Sequence, residues 1–412
     1  MSLFTPDDAS VIERASARRV PLVTLENPIV KDRGSANFRG PQHRTEQMLP
    51  AGTRVVSADG HWEICENIFV ERFPEAMKDK APEVWFDGYW HLGSIQVGKP
   101  SDLEATAMEE RIKSYLVQTV GAGAWDMALR NRDLDAEGVE KELLYPHSLI
   151  GFIRNPDLEL QEQVYRTYNE YIAEVGKERP GRYYGVGVFS NWWEPAAAER
   201  AMQQIVDLGL RTFMVPSMNP GKRPDGMPIS YGGSEMDAFW SVVADAGLPV
   251  SFHVGENVSL FGRGSVGSSL MITMSPFRKA FGELVFGGVF DRHPNLRIVF
   301  AEGGLPWIPT ALQDAEAILD VHYTGLDLIP ERRPSEYWRE HCYATFQNDL
   351  LGLSLIDYIG ADRLMWAGDY PHNESTYGYN WDSMMSVVNA VSEDDARKIL
   401  GGTAIDLYRL DD

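Results

Sequence analysis

The sequence predicts an α/β fold, a (β/α)8 TIM barrel with an N-terminal arm and an insertion between strands 1 and 2. Two observations point there. Short runs rich in β-branched and aromatic residues alternate with longer stretches of helical periodicity, the pattern of successive strand–helix units on a parallel sheet. The runs also number eight, which is the count that closes a barrel. They are Arg54–Ala58, Lys141–Tyr145, Tyr183–Phe189, Arg211–Pro216, Pro249–His253, Arg297–Ala301, Cys342–Phe346 and Arg363–Gly368. Each is apolar enough to be buried on both faces, as strands of a parallel sheet are.

Helical periodicity follows most of these runs: Leu158–Arg179 after the second, Pro195–Asp207 after the third, Met236–Ala246 after the fourth and Pro306–Tyr323 after the sixth. Residues 1–52 are rich in charge, Pro and Gly, with a helix predicted only over Asp7–Arg18, and read as an arm. Residues 53–412 read as one elaborated barrel, since barrels with insertions reach this length as a single domain. Residues 62–135 are the insertion. In it Trp85-Phe86-Asp87-Gly88-Tyr89-Trp90 predicts a hairpin on an Asp-Gly turn, and a helix is expected to start at Ser101 with Glu104 at capping-box spacing. An insertion after strand 1 overhangs the C-terminal mouth of a barrel, where active sites sit.

The formal net charge is −22, from 38 Lys+Arg against 60 Asp+Glu, a field that repels nucleic acid and anionic membrane. A small-molecule substrate is the expected partner. No apolar run reaches membrane-spanning length, and Val20–Glu26 after Arg18-Arg19 is too short and polar for a secretory core. Cys65 and Cys342 are too few for a disulfide framework or a Cys-rich zinc motif, so a cytoplasmic setting is expected. The arm, with apolar spots such as Ile29-Val30, is either disordered or wraps a neighbouring subunit; a homo-oligomer is expected, or a hetero-oligomer held through the arm.

Chemistry gathers where runs end. Asp59 and His61 follow Val55-Val56-Ser57-Ala58, and alternate spacing turns both side chains the same way, with Glu63 next in the alternation. His253 closes the fifth run and Glu302 follows the sixth. Asp369 follows the eighth, with His372 three residues on. Burying carboxylates and imidazoles at one end of a barrel is costly unless they pair or hold an ion, so Asp59, His61, Glu63, His253, Glu302 and Asp369 are the candidate metal ligands. His147, just past the second run, is a candidate substrate contact or a surface cap. Trp62 and Tyr370 are further candidate substrate contacts that, with Trp85, Trp90 and Trp125, suggest an apolar or planar ligand. Arg130 and Arg132 either bind a substrate carboxylate or pair with Asp126, Asp133 and Asp135. His293 and His341 fall at the wrong end of the strands, and His43, His91 and His322 have no strand context.

From about Arg54 to its C-terminus the chain resembles the metal-dependent hydrolases of the amidohydrolase superfamily, in the branch that includes aromatic-acid decarboxylases. The likeness is densest in Ser57–Glu63, Gly287–Pro294, Phe300–Trp307 and Trp366–His372. Trp366-Ala367-Gly368-Asp369-Tyr370-Pro371-His372 looks like the strand-8 signature, whose aspartate is a metal ligand and frequent proton acceptor. The chain departs from the usual pair of strand-1 histidines: His61 stands with Asp59 before it or Glu63 after it, and decarboxylase members favour the former. Glu302 stands where many members have a strand-6 histidine. The resemblance implies a divalent metal ion, zinc first, with manganese or iron also suited to a carboxylate-rich set. It implies hydrolysis of a C–N or C–C bond in a small carboxylated or aromatic substrate by metal-activated water, with non-oxidative decarboxylation as the alternative. In either, Asp369 would shuttle the proton, Glu302 would be a ligand or general acid/base, and His372 would support Asp369 or stabilise an oxyanion. An iron or manganese oxygenase is a further reading of the carboxylates, and a scaffold subunit of a hetero-oligomeric enzyme is the non-catalytic reading of the arm.

Overall fold

The computed structural model describes residues 48–64, 66–86, 90–92, 95–97, 122–147, 149, 152–153, 155–217, 222–223, 225–254, 263–264, 267–268, 271–272, 277–372 and 374–412. Nearly all of the expected arm, its Asp7–Arg18 helix, the Asp87-Gly88 turn and the helix start at Ser101 lie outside these residues. The first stave of the barrel is β1, Val56–Trp62, with all seven residues buried. It runs four residues past the expected end at Ala58, so Asp59 and His61 lie inside the strand. The insertion then gives β2 (Val84–Phe86), β3 (Trp90–Leu92) and β4 (Ile95–Val97), an antiparallel sheet of three strands where the sequence predicts a hairpin of two.

Parallel strands complete the ring: β5 (Lys141–Pro146), β6 (Tyr183–Gly185), β7 (Gly187–Val188), β8 (Phe213–Pro216), β9 (Val250–His253), β10 (Ile298–Ala301), β11 (Cys342–Phe346) and β12 (Leu364–Trp366). β1, β5 and β6 pair in that order, and β7 through β12 pair in sequence order. β6 and β7 are two halves of one stave parted at Val186. The Val186 N–H reaches back to Leu144 O at 2.9 Å, while the Gly187 N–H reaches forward to Thr212 O at 3.1 Å. Closure comes beyond β12, where Asp369 N–H donates to Asp59 O at 2.9 Å and His61 N–H to Tyr370 O at 2.8 Å. The eight expected runs thus become eight staves.

Alternation sorts the strand residues into two layers. Phe252 and Phe300 lie side by side at 5.7 Å; Phe252 packs on Tyr231, and Phe300 packs under Phe277, Trp307 and Trp338 of the surrounding helices. Their neighbour His253 therefore faces the interior. The helices follow the expectations within two residues: Leu158–Lys177, Pro195–Asp207, Asp237–Ala246 and Trp307–Val321. The Asp157 carboxylate caps the first of these through Leu160 N–H at 3.1 Å, and Gly247 at φ 63° ends the third in the left-handed region that suits glycine.

The helix Met127–Glu137 is different. Its buried residues are Arg130, Asp133, Leu134 and Glu137, three of them charged, so hydrophobic periodicity gives no sign of it. Asp126 caps its start through Leu129 N–H at 2.9 Å and Gly138 ends it at φ 78°.

Candidate metal centre

Strand ends bring five side chains together at the C-terminal face. Asp59 and His61 come from β1, His253 ends β9, Glu302 follows β10, and Asp369 stands just beyond β12; all five are buried. His61 Nε2 lies 3.2 Å from Asp369 Oδ1, 3.6 Å from Asp59 Oδ1 and 3.9 Å from Glu302 Oε2. His253 Nε2 lies 3.3 Å from Asp59 Oδ1 and 3.4 Å from Glu302 Oε2. His372 Nδ1 adds contacts of 3.2 Å to Asp369 Oδ1 and 3.7 Å to Glu302 Oε1, and its ring stacks on His61 at 3.8 Å. All of these donors come from one chain.

Backbone conformation shows how the carboxylates are aimed. Glu302 at φ 67° and Asp369 at φ 54° both sit in the left-handed region, which is strained for residues with a Cβ and is tolerated where the surroundings hold it. Glu302 N–H is held by Thr345 Oγ1 at 2.8 Å, and Asp369 N–H by Asp59 O at 2.9 Å. The Thr345 hydroxyl in turn points at Asp59 Oδ2, 3.4 Å away. Ser57 ties the same corner, donating to Asp59 O at 2.7 Å and accepting from Gly368 N–H at 2.9 Å.

Burial and crowding set the charges. Burial, then the neighbouring imidazoles, hold His61 well below the usual histidine range, so it stays neutral. Burial opposes charge on His253 too, but Asp59 and then Glu302 overcome it and push it up to about 9. Burial raises Glu302, and burial followed by the Glu302 carboxylate raises Asp369 well above the ordinary carboxylate range. His372, against the pull of burial, is raised well above its ordinary value by Asp369. His147 goes the other way, lowered to about 3 by burial and then by His372.

Whether a metal ion fits can be judged from the polar atoms alone. His61 Nε2, His372 Nδ1 and both carboxylate oxygens of Asp369 are buried and make no directed hydrogen bond. Buried polar atoms rarely go without partners. Here they converge, with ligand atoms of His61, Glu302, Asp369 and His372, and of Asp59, His61 and His253, each within 4.8 Å of one another. The remaining imidazole nitrogens face backbone carbonyls, His61 Nδ1 with Pro146 O at 3.4 Å and His253 Nδ1 with Val254 O at 2.8 Å. That arrangement leaves Nε2 of each free to coordinate. The donor set fits a divalent cation.

Of the six ligands proposed from sequence, five meet. Glu63 does not. β1 ends at Trp62, so the alternation that would carry Glu63 inward stops; its Oε1 accepts Ile64 N–H at 2.8 Å and its Oε2 approaches His147 at 4.0 Å. His147 does reach the centre, its Nδ1 lying 2.7 Å from His372 Nε2. Trp62 and Tyr370 turn their polar atoms away from the centre. Trp62 points opposite to His61 and donates to Tyr171 Oη at 3.0 Å, while the buried Tyr370 hydroxyl donates to Asp133 Oδ2 at 2.7 Å. Arg130 binds neither a substrate nor the expected aspartates: it is wholly buried and pairs with Glu142 at 2.7 Å. Arg132 pairs with Asp133 at 2.8 Å, as one reading of the sequence has it. His341 is held by Leu296 O at 2.9 Å against the Phe290 ring, away from the centre. Sequence reasoning missed Thr345, Glu142 and Ser57, although a polar residue inside an apolar run, as in Cys342–Phe346, Lys141–Tyr145 and Arg54–Ala58, is a signal.

Residues 124–410 match the family model described as amidohydrolase. The chain is 26% identical over 313 residues to gamma-resorcylate decarboxylase of Rhodococcus jostii strain RHA1, covering 70% of this chain and 91% of that protein. It is 24% identical over 305 residues to 2-amino-3-carboxymuconate-6-semialdehyde decarboxylase of Dictyostelium discoideum, covering 73% and 81%. Its fold is similar to that of a dihydroxybenzoic acid decarboxylase from Polaromonas sp. JS666, solved with manganese and the inhibitor 2-nitroresorcinol. That match has a TM-score of 0.62 and 19% identity over 87% of this chain and 98% of the other.

Proposed function

The chain belongs to the amidohydrolase family, and from that premise we propose that it is a divalent-metal-dependent decarboxylase acting on a small aromatic or conjugated carboxylic acid. One observation carries the reading: Asp59, Glu302 and Asp369 face His61 and His253 in one buried centre, with Asp369 aimed at it by strained backbone. Such an oxygen-rich set suits manganese better than the zinc expected first, and manganese is the ion in the Polaromonas structure. Hydrolysis, the first expectation of the sequence, finds less support than its alternative, since both curated relatives named above are decarboxylases.

Asp59, His61, His253 and Asp369 would hold the ion, with Glu302 a fifth donor. A bound divalent cation supplies positive charge that neutralises the cluster and draws in an anionic substrate. His61, held neutral, coordinates without first losing a proton. Asp369 carries the chemistry. Placed at the edge of the cluster beside His372, its carboxyl delivers a proton to the carbon that bears the substrate carboxylate. The bond from that carbon to the carboxylate carbon then breaks, its electron pair restores the conjugated system, and carbon dioxide leaves. His372, 3.2 Å from Asp369, returns the proton, and His147 at 2.7 Å behind it fixes the His372 ring.

The test is a panel of hydroxylated benzoic acids beginning with 2,6-dihydroxybenzoate, offered to manganese-loaded protein in D2O. Carbon dioxide release with one deuterium on the vacated carbon, abolished by EDTA, is the expected result. Turnover without carbon dioxide, with solvent oxygen entering the product, would make the protein a hydrolase instead.

A further inference from the structure

Behind the metal centre lies a buried ion pair that none of the steps above uses. Arg130 Nε donates to Glu142 Oε2 at 2.7 Å, and both side chains are fully buried. The rest of the guanidinium is turned toward backbone. Nη1 donates to His61 O and to Gly123 O, both at 2.9 Å, and Nη2 to Tyr370 O at 3.2 Å. His61 is itself a proposed ligand, and Tyr370 directly follows Asp369. The same Tyr370 carbonyl accepts His61 N–H at 2.8 Å across the barrel closure. The planar fork of an arginine suits this task, because it fixes several acceptors at set angles where a lysine offers one flexible point.

The rest of the helix works toward the same end. Arg130, Asp133 and Glu137 recur at the i, i+3, i+7 spacing of one helix face. Asp133 accepts the Tyr370 hydroxyl at 2.7 Å, and Glu137 accepts Gly378 N–H at 3.2 Å and Asn380 N–H at 3.3 Å. All three side chains thus grip the segment 370–380, which follows Asp369 and contains His372. On β1, Gly60 stands between the ligands Asp59 and His61, and a Cβ there would lie 2.2 Å from Glu142 Oε1 and 3.1 Å from Arg130 Nη2. The ion pair lies flush against the strand between its two ligands, in a space only glycine leaves.

We propose that Arg130, with Glu142 as its counter-ion, is a positioning residue for the metal centre, locking the carbonyls beside His61 and Asp369 so that the two ends of the barrel closure present their ligands in one geometry. This rests on the metal-centre reading above. Residues behind metal ligands typically alter affinity by about 10- to 100-fold when removed.

The test compares wild-type protein with Arg130→Lys, with the double variant Arg130→Met/Glu142→Met, and with Lys141→Met. The double variant replaces the buried pair with apolar side chains, an exchange that buried pairs often tolerate without loss of fold. Lys141 is the control: it is also buried and donates to carbonyls, Gly181 O at 2.8 Å and Leu410 O at 2.9 Å, but at the start of β5, on the opposite face of the barrel. Manganese affinity is read from the EPR signal of the free ion during titration, and ligand geometry from the spectrum of the bound ion. Wild type and Lys141→Met are expected to bind equally, with Arg130→Lys and the double variant about 10- to 100-fold weaker and spectrally altered. Wild-type affinity and spectrum in both Arg130 variants would overturn the positioning role alone, as would an equal loss in Lys141→Met. Absence of manganese binding by wild-type protein would overturn the centre itself and the positioning role with it.

Discussion

Replacing Thr345 with valine removes one hydroxyl from beneath the metal centre and changes little else in shape. In the metal-free protein that hydroxyl accepts Glu302 N–H at 2.8 Å and points at Asp59 Oδ2 at 3.4 Å, and Thr345 is fully buried. A buried N–H stripped of its acceptor costs about 1–3 kcal/mol, and the long contact to Asp59 contributes about 0.5 kcal/mol or less. The sum is a loss of about 1–3.5 kcal/mol. Function should suffer as well, because the bond to Thr345 holds Glu302 at φ 67°, and a relaxed backbone re-aims its carboxylate. Urea denaturation of metal-free protein measures the first effect, and manganese titration the second, for which a loss of about tenfold or more is expected. A destabilisation below about 0.5 kcal/mol, the spread of ordinary surface substitutions, together with unchanged affinity, would show that Thr345 does not hold Glu302 in place.

Asp369→Asn should leave the fold intact and lower kcat by at least about 100-fold, since it removes the transferable proton; single-turnover assays at saturating manganese check this. His253 makes the metal-free protein pH-sensitive in a definite sense. Its folded value of about 9 lies above the 6.5 of the unfolded chain, so its contribution to stability is complete below pH 6.5 and is lost as pH rises through 9. Urea midpoints measured in EDTA across that window should fall with pH, and the slope should flatten in His253→Gln. In the same window the protein must shed the His253 proton to bind manganese, so calorimetric enthalpies should differ between buffers of different ionisation heat. Gly60→Ala forces Glu142 aside and should destabilise by about 1–3 kcal/mol while weakening manganese binding; equal thermal midpoints would count against the close packing of the ion pair on β1.

Much of the barrel is legible in the sequence, because parallel strands buried on both faces must be apolar runs and helices outside them must be amphipathic. The errors fall where burial and hydrophobicity part company. β1 continues through Asp59, Gly60 and His61, residues whose polarity reads as the end of a strand but whose side chains the centre needs inside one. The helix Met127–Glu137 escapes notice because its buried face carries Arg130, Asp133 and Glu137. For the site, His253, Glu302, Asp369 and His372 are picked out by their position at run ends, and Asp59 and His61 by that position together with alternation. The same alternation wrongly admits Glu63, since no pattern in the sequence tells that β1 stops at Trp62. Trp62 and Tyr370 look like pocket aromatics from composition, yet each has its polar atom engaged away from the centre, by Tyr171 and Asp133. Arg130 is the least legible residue of all: its acceptors are mainly backbone carbonyls, which leave no trace in a sequence.

One ion in one place is what the centre requires. A crystal of protein grown with manganese and measured at the manganese absorption edge should show a single anomalous peak per chain, bounded by Asp59, His61, His253 and Asp369. A peak elsewhere, or none at this position despite binding in solution, would contradict it.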